Sequence, residues 1–330
     1  MNTKQYLWEA AHGKYQRALP ILSFPAVQKM NVTVRQLVHS AELQAKAMAT
    51  IIQETDSLAS VSRMDLSVEA EAFGASVRFF EDEVPAVTGQ LVCDMDEVEA
   101  LAVPSPDSGR AALCVEAIRQ AKALVADRPV LAGMIGPYSL AGRLMDVTEI
   151  MYICYDEPET VHAALEKATQ FLISYGQAFK DAGADGVVMA EPLAGILSPA
   201  MMAEFSAPYV KRIIDALQDE NFALIYHNCG NAVMQMLDEI YAQGASAYHF
   251  GNAVDLPAVL SKTPQDILVM GNIDPSSRFV QGTPEEMTAA VTALMEACAA
   301  YPNFVLSSGC DIPALAKWEN IRAFFGALRK

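Results

Sequence analysis

His227, Cys229 and Cys310 are the residues of this chain whose types and spacing point to chemistry beyond packing. The first two close an apolar run, Ala223-Leu224-Ile225-Tyr226-His227-Asn228-Cys229-Gly230, and the third closes another, Phe304-Val305-Leu306-Ser307-Ser308-Gly309-Cys310. In an extended chain residues i and i+2 face the same way, so His227 and Cys229 can reach one ion from one strand end. Gly230 then lets the backbone turn away without a Cβ. A lone buried cysteine is ordinarily a packing residue. Two of them, both at strand ends beside glycine and one beside histidine, form a zinc-type donor set of two thiols and an imidazole. Three protein ligands leave the fourth position open, as a catalytic zinc requires.

The elements that must carry these residues read as strands alternating with helices. Strands are expected at 19–24, 60–65, 130–135, 186–190, 223–227, 247–250, 267–272 and 304–307. Helices are expected at 158–182, 198–217, 284–300 and 313–328, the last with Asp311 as cap and Pro313 in its first turn. Such alternation implies parallel strands joined by crossover helices, and eight of them make an α/β (β/α)8 TIM barrel. The expected organisation is one domain over residues 1–330, with an N-terminal helical extension and an inserted hairpin within 76–104 over the barrel mouth. In such barrels chemistry gathers at the C-terminal strand ends. Asp65, Glu191, His227, Cys229, His249, Asn272, Asp274 and Cys310 all fall there.

The formal net charge of −17 disfavours nucleic acid and anionic membrane surfaces. No run of 18 apolar residues suggests a membrane span. The start, Met1 to Arg17, carries Lys4, Glu9 and Lys14 and lacks the apolar stretch of a signal peptide. Six scattered cysteines fit a reducing cytoplasm rather than a disulfide scaffold. Of these, Cys93, Cys114, Cys154 and Cys298 have no ligand spacing and read as packing. Tyr226, alternating with His227, should point away from the metal, and His12, His39 and His162 lie on helical stretches as surface residues.

Several motifs occur in order: Met64-Asp65-Leu66-Ser67-Val68-Glu69-Ala70-Glu71-Ala72-Phe73-Gly74, Gly133-Met134-Ile135-Gly136-Pro137, Gly183-Ala184-Asp185-Gly186 and Gly271-Asn272-Ile273-Asp274-Pro275. With the two metal-type motifs, the chain resembles the uroporphyrinogen decarboxylase superfamily over nearly its whole length. His-x-Cys-Gly followed by Gly-Cys resembles the zinc-dependent branch of methylcobamide:coenzyme M methyltransferases. That resemblance implies a zinc-activated thiol, coenzyme M or an analogous acceptor, attacking the methyl group of a methyl-Co(III) corrinoid and releasing Co(I). Two thiolates and a neutral imidazole leave the zinc site formally neutral, so an added substrate thiolate keeps its electron density. The Asp-x-His-x-x-Gly motif of corrinoid-carrying domains is absent, so the methylcobamide should arrive on a separate protein that docks at the mouth.

The decarboxylase branch holds its substrate's carboxylates with an arginine-rich motif after the first strand. Here Phe24–Met30 offers Lys29 as its only cation. A histidine near the decarboxylase's last strand is replaced by Cys310, while Asp65 matches that branch's essential aspartate. Tetrapyrrole decarboxylation is therefore the alternative enzyme reading, and a non-catalytic corrinoid-protein-binding barrel is the alternative outside catalysis. Asp65 and Glu191 are the candidates for direct catalytic roles. Glu191 has two open readings, a group that fills or orients the metal's fourth position or a capping carboxylate. Asp65 either bonds substrate or a ligating histidine, or is structural. Asn272, Asp274 and His249 are the candidates for cofactor contact. Their bland counterparts are a strand-exit turn for the first two and a satisfied core histidine for the third.

Overall fold

The computed structural model describes residues 2–12 and 17–328. Met1, residues 13–16 with Lys14, Arg329 and Lys330 lie outside the described residues. Strands β1 (Ser60–Val61), β4 (Val130–Ile135), β5 (Gly186–Ala190), β6 (Ala223–Asn228), β7 (Ala247–Phe250), β8 (Val269–Ile273) and β9 (Phe304–Ser308) form one parallel sheet in the order β1-β4-β5-β6-β7-β8-β9. Between β1 and β4 a short antiparallel hairpin, β2 (Ser76–Arg78) and β3 (Ala86–Thr88), pairs Val77 with Val87. The parallel strands are buried on both faces. Alternate residues, among them Val61, Leu131, Val188, Ile225, Met270 and Val305, fill the inside of the curled sheet. The residues between them pack under the crossover helices. That is the α/β barrel architecture expected from the alternation, with helix Thr3–His12 as the N-terminal extension.

The eighth stave departs from expectation. The 19–24 stretch is not a regular strand, because Pro20 has no N–H to give to a ladder. The segment still closes the barrel: Leu19 N–H donates to Leu306 O at 2.9 Å, and Ala18 O accepts from Leu58 N–H at 2.9 Å. Beyond Pro20 the ladder is replaced by a side chain, with Ile21 N–H donating to Ser308 Oγ at 3.1 Å. β1 likewise ends at Val61 rather than at Asp65, and Ser62 Oγ then takes the N–H of Gly133 at 2.7 Å.

The long helix runs Pro158–Asp181 and the next-to-last Pro284–Ala297, the latter opened by a Thr283/Glu286 capping box. The expected 198–217 helix is broken by a π-helical turn over Met202–Ser206 before it resumes at Ala207–Leu217. The last helix begins at Trp318, not at Pro313. Asp311 caps nothing there; its carboxylate accepts Met64 N–H at 2.9 Å and ties the end of β9 to the loop after β1. Among the described residues no helix is long and apolar enough to cross a membrane.

Candidate metal centre

β6 delivers His227 by strand parity. Ala223, Ile225 and His227 share the inward face, and His227 stands one layer above Ile225 with 2 % of its surface exposed. Tyr226 faces outward into the helical layer, where its hydroxyl accepts from Asn228 Nδ2 at 3.0 Å. Cys229 follows β6, and Cys310 follows β9; both are half-buried and reach the C-terminal face of the barrel. Two strands separate β6 from β9, and barrel curvature alone brings their ends together.

The His227, Cys229 and Cys310 donor atoms all lie within 4.8 Å of one another. Cys310 Sγ is 3.5 Å from His227 Nε2. A sulfur and an imidazole nitrogen bound to one tetrahedral zinc sit roughly 3.6 Å apart, from bond lengths of about 2.3 and about 2.0–2.1 Å. The donor set and its spacing therefore fit zinc. Their hydrogen bonding makes the two thiols unequal: contact with Cys310 and His227 pulls Cys229 down, and the same contact, with burial, pushes Cys310 up. Cys229 is thus the thiol more readily deprotonated.

Gly230 is required for a reason different from the expected turn. A Cβ there would come within 2.3 Å of the Gly195 backbone, so the loops after β5 and β6 touch backbone to backbone. Gly251 is similar, for its Cβ would meet Cys229 Cα at 2.6 Å.

Behind His227 runs a directed chain of hydrogen bonds. Its Nδ1 lies 2.8 Å from His249 Nδ1 and 3.2 Å from His249 O. His249 Nε2 lies 2.7 Å from Ser307 Oγ, and Ser307 donates to Leu19 O at 2.6 Å. Both ends are carbonyls, which only accept. The single Ser307 proton goes to Leu19 O, so Ser307 must accept from His249 Nε2–H. A neutral His249 then offers Nδ1 as acceptor, and His227 Nδ1–H points at it and at His249 O. The remaining lone pair of His227, on Nε2, faces the sulfurs. His249 is fully enclosed, and burial beside His227 lowers its pKa, which keeps it neutral. His249 is thus a core histidine that orients a donor rather than a contact for a cofactor.

The other candidates sit elsewhere. Glu191 is not in the cluster, and parity is the reason: Val188 and Ala190 face inward, so Glu191 faces out. Its carboxylate caps helix Pro137–Met145, accepting Tyr138 N–H at 3.0 Å and Ser139 N–H at 2.6 Å. Asp65 is held by Arg110 and by Ser67, whose hydroxyl donates to it at 2.6 Å, in a buried knot that includes Glu71. Asp274 accepts from Ser276 and Ser277 N–H at 2.8 and 2.9 Å, which is the strand-exit turn. Asn272 Nδ2 donates to Gly251 O and Val254 O at 2.9 and 2.8 Å and fixes the neighbouring loop. Cys93 is exposed beside Asp94 and Glu97 rather than packed. Residue types alone concealed the Ser307–Leu19 end of the relay; the parity of Val305 and Ser307 was its only sequence signal.

Three carboxyl groups are held unusually basic, Glu69 and Glu191 fully buried and Asp311 half-buried. Burial pushes Glu69 and Glu191 up to about 7 and Asp311 to about 8. An acid whose folded pKa exceeds its unfolded value of 4.5 or 3.8 binds its proton more tightly in the folded chain. Stability from these groups is therefore gained as pH falls from about 8 towards about 4.5. Below that range Glu54, Asp127 and Asp219, held low mainly by Lys29, Arg128 and Lys180, lose their charges and stability with them. The metal-free chain is expected to show a higher urea midpoint at pH 5.5 than at pH 8. Glu69→Gln, which keeps the acceptor for Ile135 N–H, should narrow that gap; an unchanged gap would remove Glu69 from the account.

Comparison with known proteins accords with this fold. A family model described as uroporphyrinogen decarboxylase (URO-D) matches residues 6–330. The chain belongs to the uroporphyrinogen decarboxylase family. Relatives in the family include the methylcobamide:CoM methyltransferase MtbA of Methanosarcina acetivorans, 26% identical over 323 residues that cover 93% of each chain. They also include the uroporphyrinogen decarboxylase of Vibrio campbellii, 27% identical over 273 residues, 79% of this chain and 75% of that one. Among solved structures, a methyltransferase from Methanosarcina mazei superposes with a TM-score of 0.87 at 23% identity, covering 100% of this chain and 98% of the other. A B12-independent methionine synthase from Shewanella shares the fold at a TM-score of 0.59 and 12% identity, over 87% and 86% of the two chains.

Proposed function

We propose that this member of the uroporphyrinogen decarboxylase family is a zinc-dependent methyltransferase that moves a methyl group from a methylated corrinoid to a thiol. The chain is read as one domain over residues 1–330 working in a reducing cytoplasm. One observation carries the reading: two sulfurs and an imidazole nitrogen from separate strands gather within 4.8 Å at the barrel mouth. The likeness to a methylcobamide:CoM methyltransferase supports the direction of transfer, as does the absence of a corrinoid-carrying motif for a separate donor protein.

His227 Nε2, Cys229 Sγ and Cys310 Sγ would hold the zinc. When bound, zinc supplies the Lewis acidity that keeps an acceptor thiol deprotonated at neutral pH. Both Cys229 and Cys310 would serve as thiolates, Cys229 being the more easily deprotonated of the two. His227 needs no proton change, because the His249–Ser307–Leu19 chain already leaves Nε2 bare. The half-buried thiols leave the C-terminal face accessible to thiol and corrinoid protein. The decarboxylase alternative is disfavoured by the ion pair that occupies Asp65 and by the missing arginine cluster at 24–30.

The test is zinc content together with methyl transfer from free methylcobalamin to a panel of thiols. One zinc per chain and methylated thiol support the proposal. A metal-free chain that decarboxylates uroporphyrinogen rejects it. Ser307→Ala removes the acceptor that orients His249 and is expected to weaken zinc binding by about 10–100-fold, the usual effect of losing a partner behind a ligating histidine. Competition with a chromophoric chelator reads this directly, and an unchanged affinity would show that the chain of hydrogen bonds does not orient His227.

A further inference from the structure

The two sulfurs of the candidate metal centre come from different loops, and both loops lean on a third that carries none of the donors. That third loop is the turn Gly251–Val254, which leaves β7. A Cβ on Gly251 would lie 2.6 Å from both Cα and Cβ of Cys229. A Cβ on Gly309, the residue before Cys310, would lie 2.6 Å from Asn252 Oδ1 and 2.8 Å from Asn252 N. Cys229 therefore rests against one residue of the turn, and the backbone that delivers Cys310 rests against the next. A backbone bond ties the turn to β6 as well, with Gly251 N–H donating to Asn228 O at 3.1 Å.

Within the turn, Val254 N–H donates to Gly251 O at 3.2 Å. Asn272, at the end of β8, adds two further bonds: its Nδ2 donates to Gly251 O at 2.9 Å and to Val254 O at 2.8 Å. One amide thus spends both its protons on the first and last carbonyls of the turn. The next residue, Ile273, accepts Gly309 N–H at 2.7 Å, so the end of β8 reaches both cysteine loops. Small movements of the turn are large on the scale of a metal site. Relieving the 2.6 Å approach to ordinary contact at 3.4 Å would displace Cys229 by about 0.8 Å, against the roughly 0.2 Å that a metal–ligand distance tolerates.

We propose that Asn272 is a positioning residue for the metal centre: by holding the Gly251–Val254 turn it sets the separation of Cys229 and Cys310, although it supplies no ligand. The inference rests on the zinc reading of this cluster and adds the element that fixes its sulfur–sulfur distance.

The experiment compares Asn272→Ala, Gly251→Ala and Asn303→Ala with the wild type. Asn303 is the matched control. It is buried, and its Nδ2 likewise bonds two carbonyls, Pro264 O at 3.2 Å and Ile267 O at 2.7 Å, but it precedes β9 at the opposite end of the barrel. In chelator competition, Asn272→Ala and Gly251→Ala are expected to bind zinc about 10–100-fold more weakly, the usual cost of losing a partner behind a metal ligand. Asn303→Ala should keep wild-type affinity whatever it loses in urea stability. In cobalt-loaded protein the sulfur-to-metal absorption per bound cobalt should fall in the first two variants only. Asn272→Asp, which keeps the shape and loses both N–H donors, decides the point where Asn272→Ala does not fold. A second arm uses the metal-free chain. Phenylarsine oxide bridges two thiols held close together, and its release by 2,3-dimercaptopropanol reads the spacing of Cys229 and Cys310, with Cys310→Ser as the blank. Easier release from Asn272→Ala and Gly251→Ala than from the wild type and Asn303→Ala supports the proposal. Wild-type protein that binds no zinc yet shows that pattern keeps the positioning role and overturns the zinc reading. Equal zinc affinity and equal release in Asn272→Ala and the wild type overturn the proposal and leave the zinc reading standing. An equal loss in Asn303→Ala does the same, since it would make Asn272 a residue of general stability. Wild-type protein that holds neither zinc nor the arsenical overturns both.

Discussion

Cys310→Ser is expected to abolish stoichiometric zinc binding and to lower methyl transfer to a thiol by about 1,000-fold or more. Three protein ligands are the least a catalytic zinc keeps, and a serine hydroxyl is not ionised at neutral pH as a coordinated thiol is. Removing one ligand also leaves two on a single strand end, His227 and Cys229, with nothing from β9 to close the site. The loss should be visible without any turnover. In the cobalt-substituted protein the sulfur-to-metal absorption of the wild type should fall in Cys310→Ser and in Cys229→Ser, and the metal should be lost from His227→Ala. The fold should survive, because Cys310 is half-buried at a strand end and packs in neither core layer. A Cys310→Ser protein that still holds one zinc with wild-type affinity would end the proposal that these three residues form the site.

The second large effect concerns stability. Arg110→Met is expected to destabilise the chain by about 3–5 kcal/mol, the cost of breaking a buried ion pair from one side. Arg110 is 4% exposed and bonds Asp65, itself 1% exposed, together with Glu71 and the Ser67 hydroxyl. Its removal takes the bonded counter-charge from the Asp65 carboxylate, leaving only the longer-range attraction of Arg63, while Glu71 can turn to water. The double variant Asp65→Leu/Arg110→Met should recover part of the loss, since a buried apolar pair carries no desolvation cost of this kind. Urea unfolding of the three proteins checks this. A single Arg110→Met variant within about 1 kcal/mol of wild type would show the knot to be hydrated and of little weight. The knot also bears on function, because it pins the Met64–Ser67 loop that walls the mouth.

Much of this organisation was legible in the chain. Apolar runs ending in Gly, Asp or Pro and alternating with amphipathic stretches located seven of the eight expected strands, some with shifted ends. What failed did so for local reasons that were also written there: Pro20 denies the first stave its ladder, and Ser62 and Ser308 replace backbone partners with hydroxyls. The parity of β5 was readable too. Ala190 faces inward, so Glu191 had to face the helix it caps rather than the centre. The start of the last helix was not readable, because Asp311 finds a partner in Met64, 247 residues earlier, that outcompetes a local cap.

By itself, then, the order of residues determined that His227 and Cys229 share a face, that Tyr226 does not, and that a strand with both sides buried would carry them. These follow from an alternation of two, which any extended backbone imposes. Only the tertiary structure decided that Cys310 meets them and that His249 and Ser307 leave the Nε2 lone pair of His227 facing the sulfurs. Each of those depends on the curvature of a closed sheet, which joins residues far apart in sequence and which no local spacing encodes.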